Sequence, residues 1–297
     1  MTFIPTGMTV TSSGYRRLDP VPESGSLEDF YESKYYHLLR TGERFSPSTM
    51  LRNEGPEADD ERQWMHETLY ADIRDALLGE ADVKRVLDVG AGTGEFVSFL
   101  EAAGFDAEGI EPSREASDFG RSKGRNVRCA NLQQFFATWE EEDLPTFDAI
   151  SLLGVLEHLP DPHAAVQVCK AMLRKDGVLC VQVPNDFSEM QRAAAAALGL
   201  EPWWIARPDH INYFDFQSLE TFLRDAGLHV FHKQADFPME LFLMLGENYV
   251  TEKHLGKLCH KKRRQFERVM PRELRRELYK SLSGLGIGRT CLVFAKT

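Results

Sequence analysis

The chain has 297 residues, 42% of them hydrophobic, and its 46 acidic against 35 basic residues leave a net charge of −11. That is enough apolar material for one large domain, or for one domain with sizeable insertions, and the negative sum argues against bulk affinity for nucleic acid. The opening MTFIPTGMTVTSSGYRR is polar and no apolar run of about twenty residues occurs, so the expectation is a cytoplasmic protein without a membrane span. Cys129, Cys169, Cys180, Cys259 and Cys291 form no C-x-x-C pair, and the nine histidines show no regular ligand spacing. Neither a disulfide framework nor a metal site is expected.

The first eighty or so residues read as a loop-like start, an aromatic helix over LEDFYESKYYHLLR, a Gly/Pro/Ser-rich link and a helix over ERQWMHETLYADIRDALL. From about residue 84, KRVLDVG, EFVSFLEAAG, DAEGIEP, SREASDFGRSKG and NVRCANL alternate short β-branched runs with helical patterns, the mark of βαβ units and a parallel sheet. FDAISLLGV continues the series as a strand. A helix over PHAAVQVCKAMLRKDG follows, with Pro162 at its start and Gly177 just past its end, and then the strand GVLCVQVPN. FQSLETFLRDAGLHVFHKQAD gives a helix and a strand, and RTCLVFAKT a last strand. The fold class is therefore α/β: a doubly wound, Rossmann-like sheet of seven strands with an N-terminal helical segment and helical lid insertions. The implied division is a cap over residues 1–80, a ligand-binding core over 81–236 plus 288–297 that carries an insertion at 186–214, and a basic helical insertion over 237–287. Ligands of open α/β sheets bind beyond the carboxyl ends of the strands, which makes both insertions candidate substrate lids.

The stretch VLDVGAGTGEF, from Val86 to Phe96, decides what the core holds. A dinucleotide loop, G-x-G-x-x-G, would place its last glycine where Glu95 stands, so the spacing is wrong by one residue. Asp88, two residues ahead of the first glycine, would repel a pyrophosphate but accept hydrogen bonds from an ammonium group. Glu111 ends the second strand of the series, where a carboxylate can take both hydroxyls of a ribose. An adenosine carrying an amino-acid tail suits both acids.

VLDVGAGTGEF, the strand-end acid in GIEPS, FDAISLLGVLEHLPDP and LRKDGVLCVQVPN together resemble the successive motifs of class I S-adenosylmethionine-dependent methyltransferases, over roughly residues 84 to 235 and the last strand. Within that class the chain is similar to the ubiquinone-type O-methyltransferases and to a broad bacterial small-molecule group. The resemblance implies S-adenosyl-L-methionine as cofactor. It implies that Asp88, Gly90, Gly92 and Gly94 wrap the methionine moiety, and that Glu111 binds the ribose. Asn131 and Leu132 stand where the family often holds adenine with an acid, and the backbone around Leu153 and Gly154 would line the methionine side.

A hydroxyl acceptor needs a base as well as alignment. Two histidines qualify: His158 in LEHLPDP, just past the fourth strand of the core, and His210 in RPDHINYF, among Trp203, Trp204, Tyr213 and Phe214. For each the competing reading is a structural histidine that bridges loops. Tyr213 and Trp204 are candidate substrate contacts. Tyr31 or Tyr35 of the aromatic helix could face a sulfonium, although such rings are more often core. From Glu252 to Lys280, eleven basic residues stand against four glutamates, a local +7, and Arg263 and Arg264 are candidate clamps for an anionic substrate. The ordinary reading of such a run is a solvated helical face. The leading expectation is methyl transfer to a hydroxyl, or second to an amine, of a small or carrier-linked metabolite that is anionic or contains sugar. RNA methylation through the basic insertion, and a non-catalytic cofactor-binding scaffold, are the alternatives.

Overall fold

A computed structural model of the chain describes residues 5–22, 55–80 and 83–297. The aromatic helix expected over LEDFYESKYYHLLR, with Tyr31 and Tyr35, lies outside them. The strands among the described residues are β1 Met8–Val10, β2 Arg16–Leu18, β3 Arg85–Val89, β4 Asp106–Glu111, β5 Val127–Cys129, β6 Phe147–Leu153, β7 Leu173–Pro184, β8 Asn212–Tyr213, β9 His229–Gln234 and β10 Thr290–Lys296. Seven of them form one sheet in the order β5-β4-β3-β6-β7-β10-β9, the doubly wound sheet read from the sequence. β3 runs parallel to β4 and to β6, and β4 parallel to β5. The order reverses on the two sides of β3, the switch point where such sheets bind ligands. β10 is antiparallel to β7, because the Asn185 amide donates to the Arg289 carbonyl while the Thr297 amide donates to that of Gly177. Central strands covered on both faces need continuous apolar runs. Leu87, Ile150, Leu152, Val181 and Val293 accordingly have no measurable exposure.

The chain divides into two compact units. One comprises Pro22–Val155, Asp161–Cys180 and Lys296–Thr297. In it the helix Pro56–Met65 passes through a π-helical turn, His66–Tyr70, into the helix Ala71–Leu78, burying Trp64, Ile73 and Leu77. Pro56 opens this helix at a position that needs no amide donor. Ser113, Asn131 and Asp161 cap the helices Arg114–Ser122, Leu132–Glu141 and Pro162–Met172 by accepting from backbone amides of their first turns. The last of these ends earlier than its sequence pattern suggests. Leu173 is already extended, β7 follows without a loop, and Gly177 lies within the strand after Asp176, which takes a φ of 60°.

The other unit comprises Met1–Val21, Leu156–Pro160 and Val181–Ala295. The stretch 1–80 thus contributes to both. The start read as loop-like is in fact a hairpin: β1 pairs antiparallel with β2, Met8 opposite Leu18, and β2 pairs with β8, Arg16 opposite Tyr213. Strands of two and three residues are too short to show a period of two, which is why the pattern hid them. Tyr15 seats the hairpin, with its ring 4.4 Å from that of Phe214 and 5.8 Å from that of Phe222. The Ser13 hydroxyl adds a 2.6 Å hydrogen bond to Asp225. The basic stretch forms the helices Lys253–Val269 and Arg272–Gly284, which close over Phe237, Phe242, Cys259 and Tyr279. Among the described residues no helix is long and apolar enough to cross a membrane.

If the hairpin is part of the folded unit, Tyr15→Ala should cost about 3 kcal/mol in chemical denaturation, the usual loss for a buried aromatic. A loosely attached N-terminal tail would give less than about 0.5 kcal/mol.

Candidate active site

The glycine loop is held by its own strand and by β4. Gly90 and Ala91 both donate backbone amides to the Ile110 carbonyl at 2.9 Å, and Gly94 donates to Ala91 at 2.8 Å. Gly90 and Gly94 each sit at a φ of 73°, in the left-handed region. A Cβ on Gly90 would come within 2.7 Å of Val155 Cγ2, and one on Gly94 would overlap Val127. Glu111 fixes the middle of the loop: its Oε2 accepts from the Gly92 amide at 2.9 Å and its Oε1 from the Ser113 amide at 2.8 Å.

Asp88 is buried at the end of β3. Its Oδ1 accepts a 2.6 Å hydrogen bond from the Ser151 hydroxyl. Burial, with the nearby Glu111 charge adding to it, pushes the Asp88 carboxyl up to about 7, against the opposing pull of Ser151. A carboxyl poised there gains from a cation that ionises it.

Glu95, which stands in the place of the missing dinucleotide glycine, is also buried, and it has a role that sequence reasoning missed. It pairs with Arg125, which also donates to the Thr93 carbonyl at 2.8 Å, and with Arg62 Nε at 3.1 Å. The pair thereby ties the helix Pro56–Met65 to the loop. The sequence distances, 30 and 33 residues, carry no local signal. Tyr70, buried against Phe96 at 4.9 Å, has its phenol pushed above the usual range by desolvation and by the Asp88 and Glu95 charges.

In the other unit the two candidate histidines come together. Their rings are 4.9 Å apart at 83°, edge to face. His158 Nδ1 lies 2.9 Å from the Asp209 carbonyl. A carbonyl only accepts, so Nδ1 is the donor there, and Nε2 lies 3.9 Å from the Glu157 carboxylate. Glu157, with His158 and His210, completes a set whose ligating atoms all lie within 4.8 Å of one another. A carboxylate and two imidazoles can hold a divalent ion or pass a proton. Adjacent histidine and glutamate paired with a histidine fifty-odd positions away fit no linear ligand pattern, so spacing alone could not reveal the set. Tyr213 is buried with its ring 6.2 Å from His210, and Trp204 is buried 5.4 Å from Phe187.

The remaining candidates are placed as follows. Asn131 uses its carbonyl to accept from the Gln134 amide at 2.9 Å, in a reciprocal capping box, and Leu132 is buried behind it. Leu153 ends β6 and Gly154 follows it exposed, at a φ of 72°. Arg263 does not reach outward: it lies 2.9 Å from Asp236 and 3.4 Å from Glu267, the latter also accepting from Tyr279 at 2.7 Å. Arg264 is half-buried beside it, and Arg275 on the following helix is buried too.

Residues 61–233 match the profile of a family described as methyltransferase domain. The chain belongs to this family of class I S-adenosylmethionine-dependent methyltransferases. It is similar to curated ubiquinone biosynthesis O-methyltransferases. With that of Actinobacillus pleuropneumoniae serotype 7 it is 34% identical over 108 residues, 34% of this chain and 46% of the relative. With that of Haemophilus ducreyi it is 34% identical over 178 residues, 57% of this chain and 72% of the relative. The chain spans under half the length of the first relatives it matches. Among solved structures, a SAM-dependent methyltransferase from Archaeoglobus fulgidus shares the fold at a TM-score of 0.54 and 18% identity, covering 89% of this chain and all of that one. The cyclase SpnF shares it at 0.52 and 15%, covering 93% and 97%.

The raised Asp88 carboxyl has a signed consequence for the free protein. A folded pKa above the unfolded one gives stability that is complete below about pH 4 and lost as pH rises towards 7. Asp88→Asn, which cannot ionise, should therefore be more stable than the parent at pH 8 by a few kcal/mol, at about 1.4 kcal/mol per pKa unit. The gap should close below pH 5 in denaturant melts, and a constant gap across pH would contradict the burial argument.

Proposed function

We propose that this chain uses S-adenosyl-L-methionine to methylate a hydroxyl, or second an amine, of a small or carrier-linked acceptor. The observation that carries the reading is Asp88: a buried carboxyl that accepts from the Ser151 hydroxyl, beside a glycine loop clamped by Glu111. The buried Asp88 carboxyl suits the ammonium of an amino-acid tail, and the carboxylate of Glu111 at the end of β4 suits the ribose hydroxyls. Gly90 and Gly94 leave the backbone close enough to touch the methionine moiety, and the chain around Leu153 and Gly154 lines the same side. Asn131, its carbonyl engaged in the cap, offers adenine its amide donor, with Leu132 supplying apolar contact. The bound cofactor supplies an electrophilic sulfonium methyl.

The chain's own contribution to the chemistry is alignment and a base. His210 takes the hydroxyl proton. His158, held by the Asp209 carbonyl, stands ready to share that proton through Nε2. Tyr213 packs beside His210, and Trp204 packs on Phe187, which also meets the Tyr213 ring, so both bear on the acceptor indirectly. With Arg263 neutralised by Asp236 and Glu267, an anion clamp rests on the outward Lys257, Lys261 and Arg268 instead. RNA methylation draws its only support from that outward charge. The ubiquinone-type relatives support a hydroxyl acceptor over an amine.

Two outcomes test this. Asp88→Ala or Glu111→Ala should weaken S-adenosylhomocysteine binding at least tenfold by calorimetry, a loss matching one charge-assisted hydrogen bond. His210→Ala should leave that affinity within about twofold and lower kcat by about a hundredfold, as loss of a general base does; unchanged turnover would remove His210 as the base. The proximity of Glu157, His158 and His210 favours a second reading in which they hold a divalent ion. A chelator should leave turnover unchanged if the histidines act as a base, whereas loss restored by added zinc or magnesium would assign them to a metal.

A further inference from the structure

Large apolar side chains that reach the surface of a folded protein are ordinarily scattered singly, and a gathering of them marks an interaction site. Here they are gathered. Of the eleven exposed ones among the described residues, eight fall between positions 241 and 285, all in the unit that holds Val181–Ala295. The helix Lys253–Val269 shows how they are presented. On its inner side Cys259, Arg263 and Glu267 recur every four residues, Cys259 in the core with Phe237 and Phe242, the other two in the pairs with Asp236 and Tyr279. On its outer side Leu258 and Val269, the latter 77% exposed, stand eleven positions apart and so return to one face after three turns. Lys253, Lys257 and Lys261 follow the adjoining stripe, exposed and without an ion pair to any described residue. Leu245, 78% exposed, joins the same face from the end of the helix Glu240–Met244. Phe242 of that short helix shares a core with Cys259, and Glu247, two residues beyond Leu245, pairs with the exposed Lys262.

Charge and apolar surface together define what covers this face. The stretch from Glu252 to Lys280 carries +7 in a chain of −11, so everything else carries −18. A second copy of the chain seated face to face would set +7 against +7. RNA or a soluble anion would gain from the lysines and leave Leu245, Leu258 and Val269 in water. An anionic lipid surface uses both kinds of residue: the boundary between headgroups and acyl chains takes the apolar side chains, and the headgroup phosphates take the lysines. The same surface repels the acidic remainder of the chain, so that the basic stretch approaches first.

We propose that the outer face of the helices Glu240–Met244 and Lys253–Val269 docks on an anionic membrane surface, with Leu245, Leu258 and Val269 entering the headgroup boundary and Lys253, Lys257 and Lys261 on the lipid phosphates. The association is peripheral, since no helix among the described residues is long and apolar enough to cross a bilayer. It does not rest on the methyltransferase reading.

Co-sedimentation of the full chain with vesicles tests this directly. The probes are vesicles of phosphatidylcholine alone and of an equimolar mixture with phosphatidylglycerol, with a single-stranded RNA oligonucleotide as the competing polyanion. Binding to the mixed vesicles, much weaker binding to phosphatidylcholine and release by high salt are expected. Leu245→Ser and Val269→Ser should each weaken binding to the mixed vesicles about tenfold, and Lys257→Gln combined with Lys261→Gln about thirtyfold. All these positions are exposed, so the melting temperatures should stay within about 2 °C of the parent. Absence of binding to the mixed vesicles overturns the proposal, as does equal binding to both vesicle types or parental binding in the substituted chains. RNA bound more tightly than the mixed vesicles would assign the face to nucleic acid and overturn it too. So would a concentration-dependent dimer that Leu245→Ser abolishes, since a second copy would then cover the face. A fall in melting temperature that accompanies lost binding in the apolar and lysine variants alike would make the face structural and equally end the proposal.

Discussion

A carboxyl buried at the end of a parallel strand is expensive to ionise, and the part of this chain that reads as the cofactor site depends on one. Among the described residues the Ser151 hydroxyl donates to Asp88, and burial still takes its proton affinity to near neutrality. Two residues later the backbone enters left-handed conformations that a side chain at Gly90 or Gly94 would obstruct. Glu111 then grips the loop through the Gly92 amide. Acid, loop and second acid form one constraint: the loop has its shape because Glu111 holds it, and the Glu111 charge helps keep Asp88 partly protonated. An ammonium ligand relieves that frustration, which a structural turn would have no reason to store.

What was legible in the sequence is what local chemistry writes. The seven-strand sheet follows from alternating β-branched and helical runs, and the cofactor loop follows from glycine spacing with acids at the ends of β3 and β4. What was hidden depends on distant partners. Glu95 looks like a misplaced residue in a glycine motif until Arg62 and Arg125 are seen to neutralise it. His158 and His210 carried separate cases as bases, and only the fold sets their rings edge to face. The hairpin of β1 and β2 is too short for periodicity to register. Gly177 suggested a helix end, but the helix stops at Met172 and the chain enters β7 without a turn.

The basic stretch shows why a charge count is weaker evidence than a carboxylate at a strand end. Its +7 invited an anion clamp, yet Arg263 is consumed by Asp236 and Glu267 in the packing of its own helices. Arg275 is buried as well. Fold likeness is similarly limited, since a cyclase shares this architecture about as closely as a methyltransferase does. Function must come from side chains. The pair Asp88 and Glu111 points to the cofactor, and the histidine pair to a proton.

The most direct test of the central claim is the titration of the Asp88 side chain itself, by carbon NMR of the labelled carboxyl, in the free protein and with S-adenosylhomocysteine bound. The account requires a pKa near 7 in the free protein, where burial dominates. It requires a drop of two units or more once an ammonium sits against the carboxyl, about the effect of a close opposite charge. A pKa that is already in the ordinary aspartate range, or one that does not move on binding, would contradict it.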